Sequence, residues 1–131
     1  MDFAVDIYAC REHLRQREEK AYLEREQRRQ AAREAILAAL QGILPHYPTL
    51  EQVYLFGSVT RIGAFQADSD IDLAVTGISA EEYFALWRDL EAALADWRID
   101  LRELDQTSYF GQRVRQQGEL IYEHQDASSK G

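Results

Sequence analysis

The stretch Ser69-Asp70-Ile71-Asp72-Leu73-Ala74-Val75 limits the folds open to this chain more than any other. It reads as a strand, and side chains along a strand alternate between its two faces. Ile71 and Leu73 then enter a core, while Asp70 and Asp72 point together to the other side. Two like charges held that close repel, so such carboxylates share a cation or titrate at different pH values. Upstream, a first apolar strand, Val53-Tyr54-Leu55-Phe56, runs into Gly57-Ser58. That small-residue turn offers backbone N–H groups and a hydroxyl where a triphosphate can sit. The cation that suits an oxygen-only pair is Mg²⁺, which commonly joins one or two carboxylates to substrate phosphates. Alone, a Gly-Ser is an ordinary turn and an Asp-x-Asp a solvated strand edge. In this order between two apolar strands, they imply a metal-dependent nucleotidyl-transfer site.

Phe56-Gly57-Ser58 and Ser69-Asp70-Ile71-Asp72-Leu73 together resemble the signature of the minimal nucleotidyltransferases, small members of the DNA polymerase β-like superfamily. The resemblance runs from about Ala31 to Glu123. It implies that Gly57 and Ser58 contact the nucleoside triphosphate, that Asp70 and Asp72 bind Mg²⁺, and that a third carboxylate comes from a later strand. The best match for the third is Asp100, in Trp97-Arg98-Ile99-Asp100-Leu101. Glu103 and Asp105 compete for that role, but period two from Asp100 reaches Arg102 and Leu104 and leaves both acids out of phase. Arg61 matches a basic position frequent in the family. The loop between Ser58 and Asp70 holds eleven residues, Val59 through Ser69. That is one more than the commonest family spacing, a difference a loop absorbs easily.

The chain has 131 residues, one domain's worth, with 46% hydrophobic and 29% charged residues. No apolar run approaches the length of a membrane span. The acidic N-terminus, Met1-Asp2-Phe3-Ala4-Val5-Asp6, lacks the basic start of a secretory signal. One cysteine, Cys10, has neither a disulfide mate nor a metal-binding cluster and fits a reducing cytoplasm. The histidines His13, His46 and His124 are scattered, no Gly-x-Ser-x-Gly elbow surrounds Ser58, and no P-loop is present. The net charge of −8 argues against direct nucleic-acid binding.

Between about Asp6 and Leu44 the chain lacks proline and, before Gly42, glycine, which predicts one long helix stopped by Gly42 and Pro45. Ala32, Ile36, Ala39, Leu40 and Ile43 form a face to dock on a sheet. Residues 6–30 are too polar for that and hold too few apolar positions for a sustained heptad seam; they read either as a solvated helix held by i,i+4 ion pairs or as an arm with Tyr22 and Leu23 as anchors. Ser79-Ala80-Glu81-Glu82 is a capping box opening a helix with Tyr83, Leu86, Trp87, Leu90 and Leu94 on one face. A third strand is expected from Trp97 to Leu104, a short helix from Ser108 to Gln117 with Gly118 at its C′ position, and a last strand from Glu119 to Tyr122. The fold expected is α+β, a small mixed sheet flanked by helices in the polymerase β-like manner, with a long N-terminal helix. Its divisions are an arm (1–30), a nucleotidyltransferase domain (31–123) and a disordered tail (124–131).

Transfer is then an in-line attack of an acceptor oxygen on the α-phosphorus of ATP, with two Mg²⁺ ions roughly 3.5–4 Å apart offsetting the growing charge. Asp70 and Asp72 are expected to bridge them, and Asp100 to hold the one that activates the acceptor. After Asp105 too few residues remain for an acceptor-binding domain, so the acceptor belongs to another macromolecule. The resemblance names one: minimal nucleotidyltransferases are often paired with a HEPN-domain RNase toxin, which they neutralise by adding AMP to a tyrosine. The rival readings are a catalytically silent antitoxin that acts by binding alone and a transferase for a small molecule. The arm is expected to pack on another chain, either a second copy in a homo-oligomer or the toxin.

Overall fold

The computed structural model describes residues 3–124, with side chains from Asp6 onward. It opens with a helix of 41 residues, α1 (Phe3–Ile43), rich in Glu, Arg, Gln, Ala and Leu, which lose little freedom in a helix. A 3₁₀ turn over Leu44–His46, with Pro45 as its second residue, stops it. There follow β1 (Gln52–Phe56), a 3₁₀ turn over Gly57–Thr60, β2 (Ile71–Thr76), α2 (Ala80–Ala93), β3 (Ile99–Glu103), α3 (Tyr109–Gln117) and β4 (Glu119–Glu123).

The strands form one mixed sheet in the order β3-β2-β1-β4. β1 is antiparallel to β2 and β4, while β2 and β3 are parallel. A parallel pair needs a crossover, which α2 supplies. Ala32, Ile36, Leu40 and Ile43 of α1, with Leu86 and Leu90 of α2, pack on Val53, Leu55, Ile71, Leu73, Val75 and Leu101. α3 covers the opposite face, where Val114 and Phe110 meet Tyr54, Phe56, Ala74 and Leu104. This is the α+β architecture the sequence predicts. The capping box of α2 is formed as well: the Ser79 hydroxyl accepts from the Glu82 N–H at 3.2 Å, and the Glu82 carboxylate accepts from the Ser79 N–H at 3.1 Å.

Four details differ from expectation. β2 starts at Ile71, one residue after Asp70. β3 is shorter than Trp97–Leu104, because the Trp97 N–H turns back to the Leu94 carbonyl at 2.9 Å instead of joining the ladder. Gly118 ends α3 with φ −78°, not in the left-handed region. Glycine is needed there for space, since a Cβ would stand 2.5 Å from the Val114 carbonyl oxygen and 2.9 Å from that of Leu55.

The fourth concerns α1, whose docked part begins before the apolar stripe does. Arg25 donates to the Gly63 carbonyl at 2.7 Å, and the Gly63 N–H donates to Glu26 at 2.6 Å. Arg28 and Arg29 donate to the carbonyls of Ala67 and Val59, each at 3.2 Å. Arg29, only 7% exposed, is also paired with Glu26 at 2.9 Å. Polar side chains here serve a loop backbone that lacks regular partners, which an apolar-spacing argument does not see. Residues 3–20 extend beyond, about 27 Å of helix at 1.5 Å per residue. Of the tail expected to be disordered, 125–131 lies outside the described residues. His124 donates its N–H to the Glu51 carbonyl at 2.8 Å.

Gly118→Ala should lower stability by about 1–3 kcal/mol in urea unfolding, because the new carbon meets carbonyl oxygens. Gly42→Ala, with nothing within 4 Å of the added carbon, should instead gain about 0.5–1 kcal/mol.

Candidate active site

In the parallel register of β2 and β3, Asp72 stands opposite Asp100, and on β1 Phe56 stands opposite Asp72. Alternation sends Ile71, Leu73 and Leu101 to the core face. Asp72 and Asp100 therefore emerge side by side on the other face. Asp70 enters from the loop, where the Ile71 N–H bonds the Arg98 carbonyl at 2.7 Å. One oxygen of each of Asp70, Asp72 and Asp100 lies within 4.8 Å of the others. Glu103 and Asp105 are not in this group. Asp105 accepts from the Thr107 N–H and hydroxyl at 2.9 and 2.8 Å, which holds its carboxyl below the usual range.

Asp72 carries the electrostatic cost. Burial, followed by the charges of Asp100 and Asp70, pushes its pKa up to about 6, with Arg102 and Arg61 partly offsetting them. Two arginines brace the other carboxylates: Arg98 lies 3.3 Å from Asp70 and Arg102 3.4 Å from Asp100.

The Gly-Ser turn stands against this group. Gly57 has φ +73°, and a Cβ on it would run into the Asp72 carboxylate, so only glycine fits. The Thr60 hydroxyl donates to the Gly57 carbonyl at 2.7 Å and closes the turn. Ser58 follows Gly57 half-buried, its hydroxyl unbonded within the described residues. A cleft of about 340 Å³ opens between this turn and α3, with Gly57, Thr60 and Arg61 on one wall and Tyr109, Phe110 and Arg113 on the other. Phe110 packs edge-on against Phe56 at 5.2 Å and lies under the Arg102 guanidinium at 5.6 Å.

The structure thus brings Asp70, Asp72 and Asp100 together beside Gly57 and places Arg61 on the cleft wall; Ser58 adjoins the cleft without lining it. Sequence reasoning passed over Arg98 and Arg102, although period two around Asp100 puts all three on one face. It also passed over Thr60, Tyr109, Phe110 and Arg113, which only the docking of α3 brings to the cleft.

Residues 38–127 match the family described as Polymerase beta, Nucleotidyltransferase. The chain belongs to this nucleotidyltransferase family. Among solved structures, it is 30% identical to a chain of a toxin–antitoxin crystallised with AMP-PNP, covering 74% of this chain and 77% of that one at a TM-score of 0.54. A mutant MntA toxin–antitoxin complex is 28% identical over 72% of this chain and 76% of that one, at a TM-score of 0.53. A Shewanella oneidensis complex of a tri-AMPylated HEPN toxin with MNT antitoxin is 27% identical over 78% of each chain, at a TM-score of 0.50. The chain therefore has a nucleotidyltransferase fold similar to MNT antitoxins found in HEPN toxin complexes. No curated protein sequence matches it significantly. No helix among the described residues is long and apolar enough to cross a membrane.

A carboxyl with a raised pKa binds its proton more tightly in the folded than in the unfolded chain. Its contribution to stability therefore falls as pH rises between its unfolded and folded pKa values. Asp72→Asn should gain stability relative to wild type in metal-free buffer as pH rises from about 4 to about 6, and keep that gain above it. Urea midpoints across that range check it.

Proposed function

We propose that the protein is an antitoxin-type nucleotidyltransferase that moves AMP from ATP to a tyrosine hydroxyl of a partner HEPN toxin and so neutralises it. The observation that carries this reading is the cluster of three carboxylate oxygens within 4.8 Å, pressed against a glycine turn at the rim of a cleft. The similarity to a toxin–antitoxin with AMP-PNP and to a complex with a tri-AMPylated HEPN toxin supports the choice of ATP and of the acceptor.

Mg²⁺ suits the donor set, which offers only hard oxygen atoms, and Asp70, Asp72 and Asp100 are the residues to hold it. When bound, the ion offsets the charge that grows on the transferring phosphate and the departing pyrophosphate. The chain's own residues do the rest. Gly57 lets phosphate oxygens approach the backbone, Ser58 donates its free hydroxyl to one of them, and Arg61 balances the triphosphate charge from the cleft wall. Tyr109 and Phe110 offer ring faces to the base. As the tyrosine oxygen bonds to the α-phosphorus, the bond to pyrophosphate breaks and Asp100 accepts the phenolic proton.

Mixed with labelled ATP, Mg²⁺ and its toxin, the protein should transfer label to the toxin. Asp70→Asn/Asp72→Asn should cut transfer by at least about a hundredfold with the fold intact by circular dichroism. Mg²⁺ should raise the melting temperature of wild type and not of that variant. If the double variant neutralises the toxin in cells as well as wild type does, neutralisation is by binding alone and the silent-antitoxin reading takes its place.

A further inference from the structure

The projecting part of α1 and its root at Tyr22 carry a stripe that the chain itself covers only in part. Ile7, Leu14 and Tyr22 are 51%, 53% and 41% exposed. Arg11 and Glu18 fall between them at helical spacing, so the five side chains line one face. The order along the stripe is apolar, basic, apolar, acidic, apolar. Three other charges on the arm are already used: Arg15 is bonded to Glu12 at 2.6 Å and to Glu19 at 3.1 Å within the helix. Arg11 and Glu18 make no hydrogen bond or ion pair within the described residues.

The order reads the same outward from a point between Leu14 and Arg15, except that charge changes sign. Ile7 and Tyr22 are equidistant from that point, and so are Arg11 and Glu18. A helix with this pattern is complementary to itself when reversed. In a two-fold interface residue i meets j and j meets i. Here Ile7 meets Tyr22 of the second copy, Arg11 meets Glu18 twice, and the two Leu14 side chains meet at the axis. The chain's own body marks the limit of the stripe, for Gly63 lies against the Tyr22 ring. A reversed partner helix thus has the length from Ile7 to Tyr22 to occupy before it reaches the body.

We propose that residues 7–22 of α1 pair antiparallel with the same segment of a second copy, about a two-fold axis between Leu14 and Arg15. Pairing covers an apolar stripe that a lone helix leaves in water, and it gives Arg11 and Glu18 their missing partners. It is independent of the chemistry at the carboxylates. Parallel pairing would set Arg11 beside Arg11 and Glu18 beside Glu18, so the charges also select the direction.

The test uses the full chain, with mass measured by light scattering and helicity by circular dichroism. Wild type at tens of micromolar should give twice the chain mass of 15.2 kDa. Arg11→Glu and Glu18→Arg should each raise the dimer Kd roughly tenfold, because the axis doubles every like-charge contact. The double variant should restore the wild-type Kd, and an equal mixture of the two single variants should form a mixed dimer. A monomeric wild type overturns the proposal, as does a dimer indifferent to both reversals. So does a wild type that is monomeric alone yet binds its toxin less tightly after the reversals, which assigns the stripe to the toxin.

Discussion

The site depends on one constraint, the parallel register that sets Asp72 directly opposite Asp100. Neighbouring strands lie about 4.8 Å apart, so two carboxylates facing each other across a ladder are close whatever their rotamers. Burial of a charge and repulsion between charges both oppose the arrangement, and the raised pKa of Asp72 reflects burial first and the neighbouring carboxylates second. The core opposes the repulsion: Ile71, Leu73 and Leu101, at most 1% exposed, alternate with the acids on the same strands. A slip of one residue would drive the carboxylates into that core and the apolar side chains out of it, so burial on one face enforces crowding on the other. The α2 crossover makes the parallel pairing, and α1 closes the face that holds it.

A second set of interactions positions the turn. The segment from Arg61 to Asp70 has no regular hydrogen-bonded structure, yet several of its backbone groups lie against α1. Arg25, Glu26, Arg28 and Arg29 bond to Val59, Gly63 and Ala67, while buried Phe65 packs beside Trp97 at 6.2 Å. Unpaired backbone groups under a helix would be costly, and charged side chains satisfy them at close range. The helix that projects from the body is thus also the support of the loop joining Gly57 to Asp70, which it holds at Val59, Gly63 and Ala67.

Charge within the site is balanced rather than simply negative. Arg98 and Arg102 brace Asp70 and Asp100, and Arg61 and Arg113 line the cleft beside them. The acidic surplus of the whole chain therefore does not describe the local field that an anionic ligand would meet. Carboxylates suited to a cation and arginines suited to phosphate lie within one small region, on a nucleotidyltransferase fold.

Local pattern was enough for the elements that repeat with a clear period. The Asp70–Asp72 alternation, the capping box at Ser79 and the apolar stripe from Ala32 to Ile43 each depend on neighbours a few residues away, so the sequence by itself determined them, along with the α+β class. The resemblance around Gly57 and Asp70 pointed to Asp100 as the third carboxylate. What only the tertiary structure decided lies where distant segments meet. The convergence of Asp100 on Asp70 and Asp72 needs the β2–β3 register, which no local spacing encodes. The wall of Tyr109, Phe110 and Arg113 needs α3 folded over the far face of the sheet. Gly118 is required by two carbonyls, one of them 63 residues away in sequence at Leu55. The polar docking of Arg25 to Arg29 has no apolar signature at all. In each case the partner is set by where the chain returns in space, and a one-dimensional pattern carries the period of a helix or strand but not the identity of what packs against it.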